Sequence, residues 1–243
     1  EQNRKECYIR EFSIEHFHDS KVFETLIPKI CKIFREENEE LTGFENEEIL
    51  AEYQIYKTPG YVYMKGNVQI YSAGKQAADI SAFPEGIAVA VGSEEDVPDI
   101  CPDQTIDKVF TIENLTSFYR FKQEHSLVIY LGGYHNRSRR NLLMQIYQKL
   151  PDAQYYHFGD LDAGGFYILE HLKRKTGIPF QMFQMDIETL KKYEDYAKPL
   201  TENDKKRLMQ LEKMELPDEE RKLITYMLQK GIKLEQECIS ESQ

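Results

Sequence analysis

Between residues 108 and 185, short apolar runs alternate with stretches of helical period, and no other feature narrows the possible folds as far. Lys108–Ile112, Leu127–Leu131, Tyr155–Phe158 and Phe180–Met185 read as strands. Leu115–Gln123, Ser138–Leu150 and Gly164–Lys175 lie between them and read as helices. In the second, Leu142, Leu143, Ile146, Tyr147 and Leu150 recur at three- and four-residue spacing. A strand followed by a helix of that length returns as a parallel strand, so the alternation predicts βαβ units in a sheet covered by helices.

Upstream the pattern differs. Residues 1–56 read as a mostly helical segment, with Phe23, Leu26, Ile27, Ile30, Ile33 and Phe34 on one face. Tyr61–Met64 and Val68–Tyr71 flank Lys65-Gly66-Asn67 and predict a β-hairpin, and Ile87–Val91 predicts a further strand. Downstream, Ile187–Ile232 reads as helix broken at Pro199 and Pro217. The expected fold is therefore α/β: a Rossmann-like parallel sheet flanked by helices over residues 57–243. Its β region comes first and its extra helices last, behind the N-terminal helical segment. There is no internal repeat and no Gly/Ser-rich linker.

Composition removes several classes. With 41% hydrophobic residues, 16 Tyr and 13 Phe, the chain can bury a core and is not a disordered one. No apolar run is long enough to span a bilayer, so no membrane partner is expected. The polar stretch Glu1–Arg10 is no signal peptide. Cys7, Cys31, Cys101 and Cys238 are scattered with no CxxC pair, which reads as reduced thiols in a cytoplasmic protein. The net charge of −11 counts against a free-standing DNA binder. It is compatible with metal-binding carboxylates, and with delivery to DNA by a basic partner.

Two predicted strands end in acids. Glu113 directly follows Lys108–Ile112, and Asp160 and Asp162 follow Tyr155–Phe158 in Gly159-Asp160-Leu-Asp162-Ala-Gly164-Gly165. In an open parallel sheet the carboxyl ends of the strands carry the functional residues. Alternate acids in a turn, joined by a third from a neighbouring strand, offer the hard oxygen ligands that Mg²⁺ prefers. A metal so held polarises a phosphodiester, activates water or stabilises the leaving oxygen. The bland alternative is that Asp before glycine only caps a helix, as Thr116 or Ser117 would after Glu113. Arg137, Arg139 and Arg140, with His135, form the clearest basic cluster and are candidates for gripping DNA phosphate. His157, inside a strand, reads as a packed core residue. Glu235 and Glu237 are further ligand candidates if their segment is extended. In a helix they would diverge by about 200° and only one could serve.

The stretch Thr111-Ile-Glu113-Asn114-Leu-Thr-Ser117-Phe118, with Gly159-Asp160-Leu-Asp162-Ala-Gly-Gly165-Phe166, resembles the Toprim domain of topoisomerase–primase enzymes. Within that group it is most similar to the C-terminal domain of the JetD nuclease subunits of Wadjet anti-plasmid systems, which resemble the topoisomerase VI A subunit and Spo11. The similarity extends to Leu131-Gly132-Gly133 and Leu234-Glu235-Gln236-Glu237, and covers roughly residues 60–240. It implies a Toprim-like fold with Glu113, Asp160 and Asp162 as catalytic ligands of Mg²⁺ (or Mn²⁺). The implied activity is endonucleolytic cleavage of double-stranded DNA gathered by SMC-type, condensin-like partner subunits, with a homodimer as a further candidate assembly. The helical segment 1–56 would be the remnant of a helical DNA-binding domain, and the chain a fragment or a shortened relative. Tyr8, Tyr53 and Tyr56 match no nucleophilic tyrosine of the topoisomerase VI type, so attack by water is expected. A topoisomerase VI/Spo11-like tyrosine transesterase and a non-catalytic assembly module are the alternatives.

Overall fold

The computed structural model describes residues 6–38, 41, 44–57, 60–72, 74–91, 98–132 and 137–239. A short strand β1 (Cys7–Tyr8) leads into helices α1 (Ile9–Phe17), α2 (Val22–Glu37) and α3 (Asn46–Glu52), and then β2 (Ile55–Tyr56), which pairs parallel with β1. The β region holds β3 (Gly60–Lys65), β4 (Val68–Ser72), β5 (Lys75–Asp79), β6 (Ile87–Val91) and β7 (Asp99–Pro102). The alternating region follows as β8 (Lys108–Ile112), α4 (Leu115–Arg120), β9 (Ser126–Tyr130), α5 (Arg137–Lys149), β10 (Gln154–Phe158), α6 (Ala163–Thr176) and β11 (Gln181–Met182). The chain then runs through α7 (Ile187–Lys192), β12 (Lys198–Pro199), α8 (Glu202–Leu211), α9 (Asp218–Lys230) and β13 (Ile232–Lys233). Pro199 and Pro217 stand where the helices break, Pro199 in β12 and Pro217 immediately before α9.

The central sheet has the order β11-β10-β8-β9-β3-β6. Its first four strands are parallel, and β3 and β6 are added antiparallel at one side. This is the expected mixed α/β, Rossmann-like architecture. Strand β8 is buried from Val109 to Ile112, as a parallel strand covered on both faces must be. Successive side chains point to opposite faces. Val109, Leu127, Ile129 and Tyr155 therefore join one core with Leu142, Ile146 and Leu169, and with Ile9, Phe23 and Leu50 of the N-terminal helices. Phe110, Ile112, Val128 and Phe158 join the other core, with Phe118, Phe166, Leu208 and Ile224.

The predicted hairpin is not formed. β3 pairs with β6 and β9, whereas β4 pairs with β5 and β7 in a separate three-stranded sheet. The cause lies in the residues that looked like a turn. Lys65 is 7% exposed, and its Nζ donates to Phe118 O at 2.6 Å and Tyr119 O at 3.3 Å, the carbonyl end of α4. Gly66 sits at φ 138° against β9, where a β-carbon would lie 2.5 Å from Ser126 O. The pair diverts the chain out of the central sheet instead of folding it back. The cap of α4 also differs from expectation. Asn114 Oδ1 accepts from Ser117 N–H at 3.1 Å, so Ser117 is the capped residue and not the cap. Among the described residues no helix is long and apolar enough to cross a membrane, and all four cysteines are free.

Candidate metal centre at the strand ends

Glu113 and Asp160 are brought together by strand pairing. β8 and β10 are neighbours, with Ile112 opposite Phe158 and Glu113 N–H donating to Phe158 O at 3.0 Å. The next position puts Glu113 opposite Gly159. A β-carbon on Gly159 would lie 2.6 Å from Glu113 Oε2, so only glycine lets the carboxylate lie over this strand end. Asp160 N–H points at the same oxygen at 3.4 Å. Two residues on, Asp162 opens α6 and its Oδ1 accepts from Gly165 N–H at 2.9 Å. The capping role weighed from the sequence is thus real for Asp162. Gly165 packs tightly under the turn, where a β-carbon would meet Asp160 O at 2.2 Å.

The three acids form one electrostatic unit. Burial, followed by the charges of Asp160 and Asp162, pushes the Glu113 carboxyl up to about 8. Burial also raises Asp160 to about 6, against the opposing hydrogen bond from Gln236 N–H and with support from Asp162, Glu237 and Glu235. Among the described residues no lysine, arginine or histidine pairs with any of the three. As placed, no three His, Cys, Asp or Glu side chains among those residues converge on one point as ion ligands. Asp160 Oδ1 is turned to Gln236 N–H at 2.7 Å, and Asp162 Oδ1 to its cap. The donor set nevertheless fits a small hard cation in kind: carboxylate oxygens on adjacent strand ends, partly desolvated, mutually repelling and without a basic partner among the described residues. Each Asp keeps its second oxygen clear of those bonds.

The C-terminal segment closes the site, and its key residue is not an acid. Leu161 and Leu234 exchange backbone hydrogen bonds at 2.9 and 3.1 Å, which docks residues 234–238 against the turn. Gln236 is fully buried. Its side-chain carbonyl accepts from Asn114 N–H at 2.8 Å, its amide donates to Phe158 O at 3.0 Å, and its backbone N–H holds Asp160. One glutamine thus brackets both strand ends. Sequence reasoning passed over it because glutamine carries no ionisable group. Its place between two candidate glutamates was the signal available. Those glutamates are engaged differently: Glu235 pairs with Lys198, while Glu237 accepts from Asn114 Nδ2 at 2.5 Å. The segment bends into a short 3-10 turn at Gln236–Cys238, so neither an extended strand nor an α-helix describes it.

The basic candidates go elsewhere. Arg139 donates to Leu131 O at 2.7 Å and Tyr61 O at 3.3 Å, tying α5 to the ends of β9 and β3. Arg140 pairs with Glu52 at 2.7 Å, with both side chains mostly buried. Arg137 is described only as the first residue of α5, and His135 lies outside the described residues. The structure does not bring Arg139 or Arg140 to the acids as free phosphate grips.

Residues 95–243 match the family described as "Wadjet protein JetD, C-terminal". Over 235 residues, 95% of the chain, the sequence is 30% identical to the Wadjet protein JetD of Bacillus cereus (strain Q1). The chain spans 56% of that relative's length.

Proposed function

The chain belongs to the Wadjet protein JetD C-terminal family, and on that premise we propose that it is the Toprim-like catalytic part of a Mg²⁺-dependent DNA endonuclease in a Wadjet-type plasmid-defence assembly. The observation that carries this reading is the pairing of β8 with β10, which sets Glu113 beside Gly159-Asp160 in a partly buried acidic unit with no basic partner among the described residues. Glu113, Asp160 and Asp162 would hold the cation. Glu237 is close enough to add to the field on Asp160 and is the next candidate. When bound, Mg²⁺ supplies Lewis-acid activation of a phosphodiester and of the attacking water. The protein's part is to hold the carboxylates in register: Gly159 admits Glu113, Gly165 admits the sharp turn after Asp160, and Gln236 fixes both strand ends.

The net charge of −11 fits delivery to DNA by other subunits better than capture by this chain alone. The partner class in this reading is an SMC-type, condensin-like complex. Water is the nucleophile proposed, and the form of the products tests it. Plasmid cleaved in the presence of the partner complex and resolved under denaturing conditions should carry no protein. DNA ends covalently linked to the chain would replace the hydrolytic reading with a tyrosine transesterase.

A further inference from the structure

Beneath Glu113 lies a buried histidine that the proposed chemistry does not use. His157 is 0% exposed in the middle of the central sheet. Its Nδ1 is 3.0 Å from Thr111 Oγ1, and its Nε2 has no hydrogen-bond partner. A ring nitrogen left so in a core is costly, and an apolar residue would avoid the cost. The register says where the nitrogen points. His157 is opposite Thr111 on the pairing of β10 with β8, and the alternation of side chains puts Thr111, Glu113, His157 and Gly159 on one face. The β-carbon that Gly159 lacks would be 2.6 Å from Glu113 Oε2 and 2.8 Å from His157 Nε2. Both atoms therefore border the same small gap, and the absence of a side chain at 159 is what lets them face each other.

We propose that His157 is a positioning residue for Glu113: its Nε2–H donates to the Glu113 carboxylate across Gly159 and fixes the oxygen that Glu113 offers to a divalent cation. The inference rests on the metal-site reading and adds to it the group that aims one ligand. Carboxylate ligands are commonly oriented by such a donor behind them. An ionised carboxylate only accepts, so Nε2 must carry the ring proton and Nδ1 must accept. Thr111 provides for this. Its hydroxyl lies 3.0 Å from Nδ1 and 3.2 Å from Tyr156 O. Turned to Tyr156 O, the hydroxyl leaves Nδ1 as the protonated nitrogen. Turned to Nδ1, it leaves the proton on Nε2, facing Glu113. Rotation of one hydroxyl thereby selects the tautomer that can hold the ligand.

Two measurements on the whole chain test this. The first is nitrogen NMR of ¹⁵N-histidine protein, wild type beside Glu113→Ala, without metal and with Mg²⁺. The His157 ring signals should move on removal of Glu113, and with Mg²⁺ the wild-type ring should be in the Nε2–H form. A His157 signal indifferent to Glu113→Ala overturns the proposal. The second is Mn²⁺ affinity alongside melting temperature. His157→Phe should bind about 10- to 100-fold more weakly, and His157→Gln, which keeps a donor, should recover most of that loss. Thr111→Val should weaken binding in the same direction and serves as the test if His157→Phe does not fold. Wild-type affinity in His157→Phe or in a folded Thr111→Val overturns the proposal. If wild type takes up no Mn²⁺, the metal reading falls, and the metal-free ring measurement alone decides whether His157 holds Glu113.

Discussion

Glu113 makes the clearest demand on the fold at the residue scale, because its carboxyl is held near 8 where an unfolded glutamate ionises near 4.5. The folded chain binds the extra proton between those values, so this group's contribution is full below the lower one and is lost as pH rises toward 8. Asp160, raised to about 6, acts in the same direction over a lower range. Burial also raises Glu220, against its bond to Lys173, so only a comparison with a variant isolates Glu113. In metal-free buffer, Glu113→Gln should therefore melt higher than wild type at pH 8, with the gap closing toward pH 5. Equal melting temperatures at both pH values would contradict the burial of this charge. A second residue-scale test is Gly165→Ala, whose β-carbon would collide with Asp160 O. It should lose about 2–4 kcal/mol in urea unfolding.

Among the elements, the segment around Gln236 contributes as much to the site as the strands do. Gln236→Ala strips Asn114 N–H of its partner and takes one of two donors from Phe158 O, which keeps Glu113 N–H, a loss of about 1–3 kcal/mol. Because its backbone N–H still reaches Asp160, the variant should fold with weakened metal uptake; unchanged urea stability would mean the bracket is idle. The same scale shows what the sequence could and could not reveal. β8, β9 and β10 and their helices were legible because each buried strand is a continuous apolar run and each helix repeats its apolar face. The split between β3 and β4 was not, since Lys65-Gly66-Asn67 has the composition of a turn while Lys65 turns inward to the end of α4. β5 and β7, Lys-Gln-Ala-Ala-Asp and Asp-Ile-Cys-Pro, carry no strong apolar alternation and exist only through pairing with β4. At the site, the acids were legible from their positions after strands. The engagement of Arg139 and Arg140 with Leu131 O and Glu52 depends on the packing of α5 against distant segments, which no local pattern encodes.

Across the whole molecule, the N-terminal helices are packed into the same apolar core as the central sheet. Glu52 at the end of α3 reaches Arg140 on α5 at 2.7 Å, with His171 and Lys175 of α6 within 4 Å. His171 is held far below its ordinary value, at about 3, by burial and by the surrounding Arg140, Lys175 and Arg174 charges. Glu52→Ala should therefore destabilise the chain by about 3–5 kcal/mol, the cost of breaking a buried pair, read as an earlier urea midpoint. The net charge of −11 has its own consequence: the isolated chain should hold DNA weakly and release it in modest salt. Glu113 and Asp160 are proposed as a cation-dependent DNA-cleaving site. Its most direct measurement is nicking of supercoiled plasmid by the chain with a DNA-engaged partner complex, in Mg²⁺, Mn²⁺ or chelator, beside Glu113→Gln and Asp160→Asn. Nicking should need the cation and be lost in both variants; nicking that survives in the variants or in chelator, or none by wild type with that complex, would rule the site out.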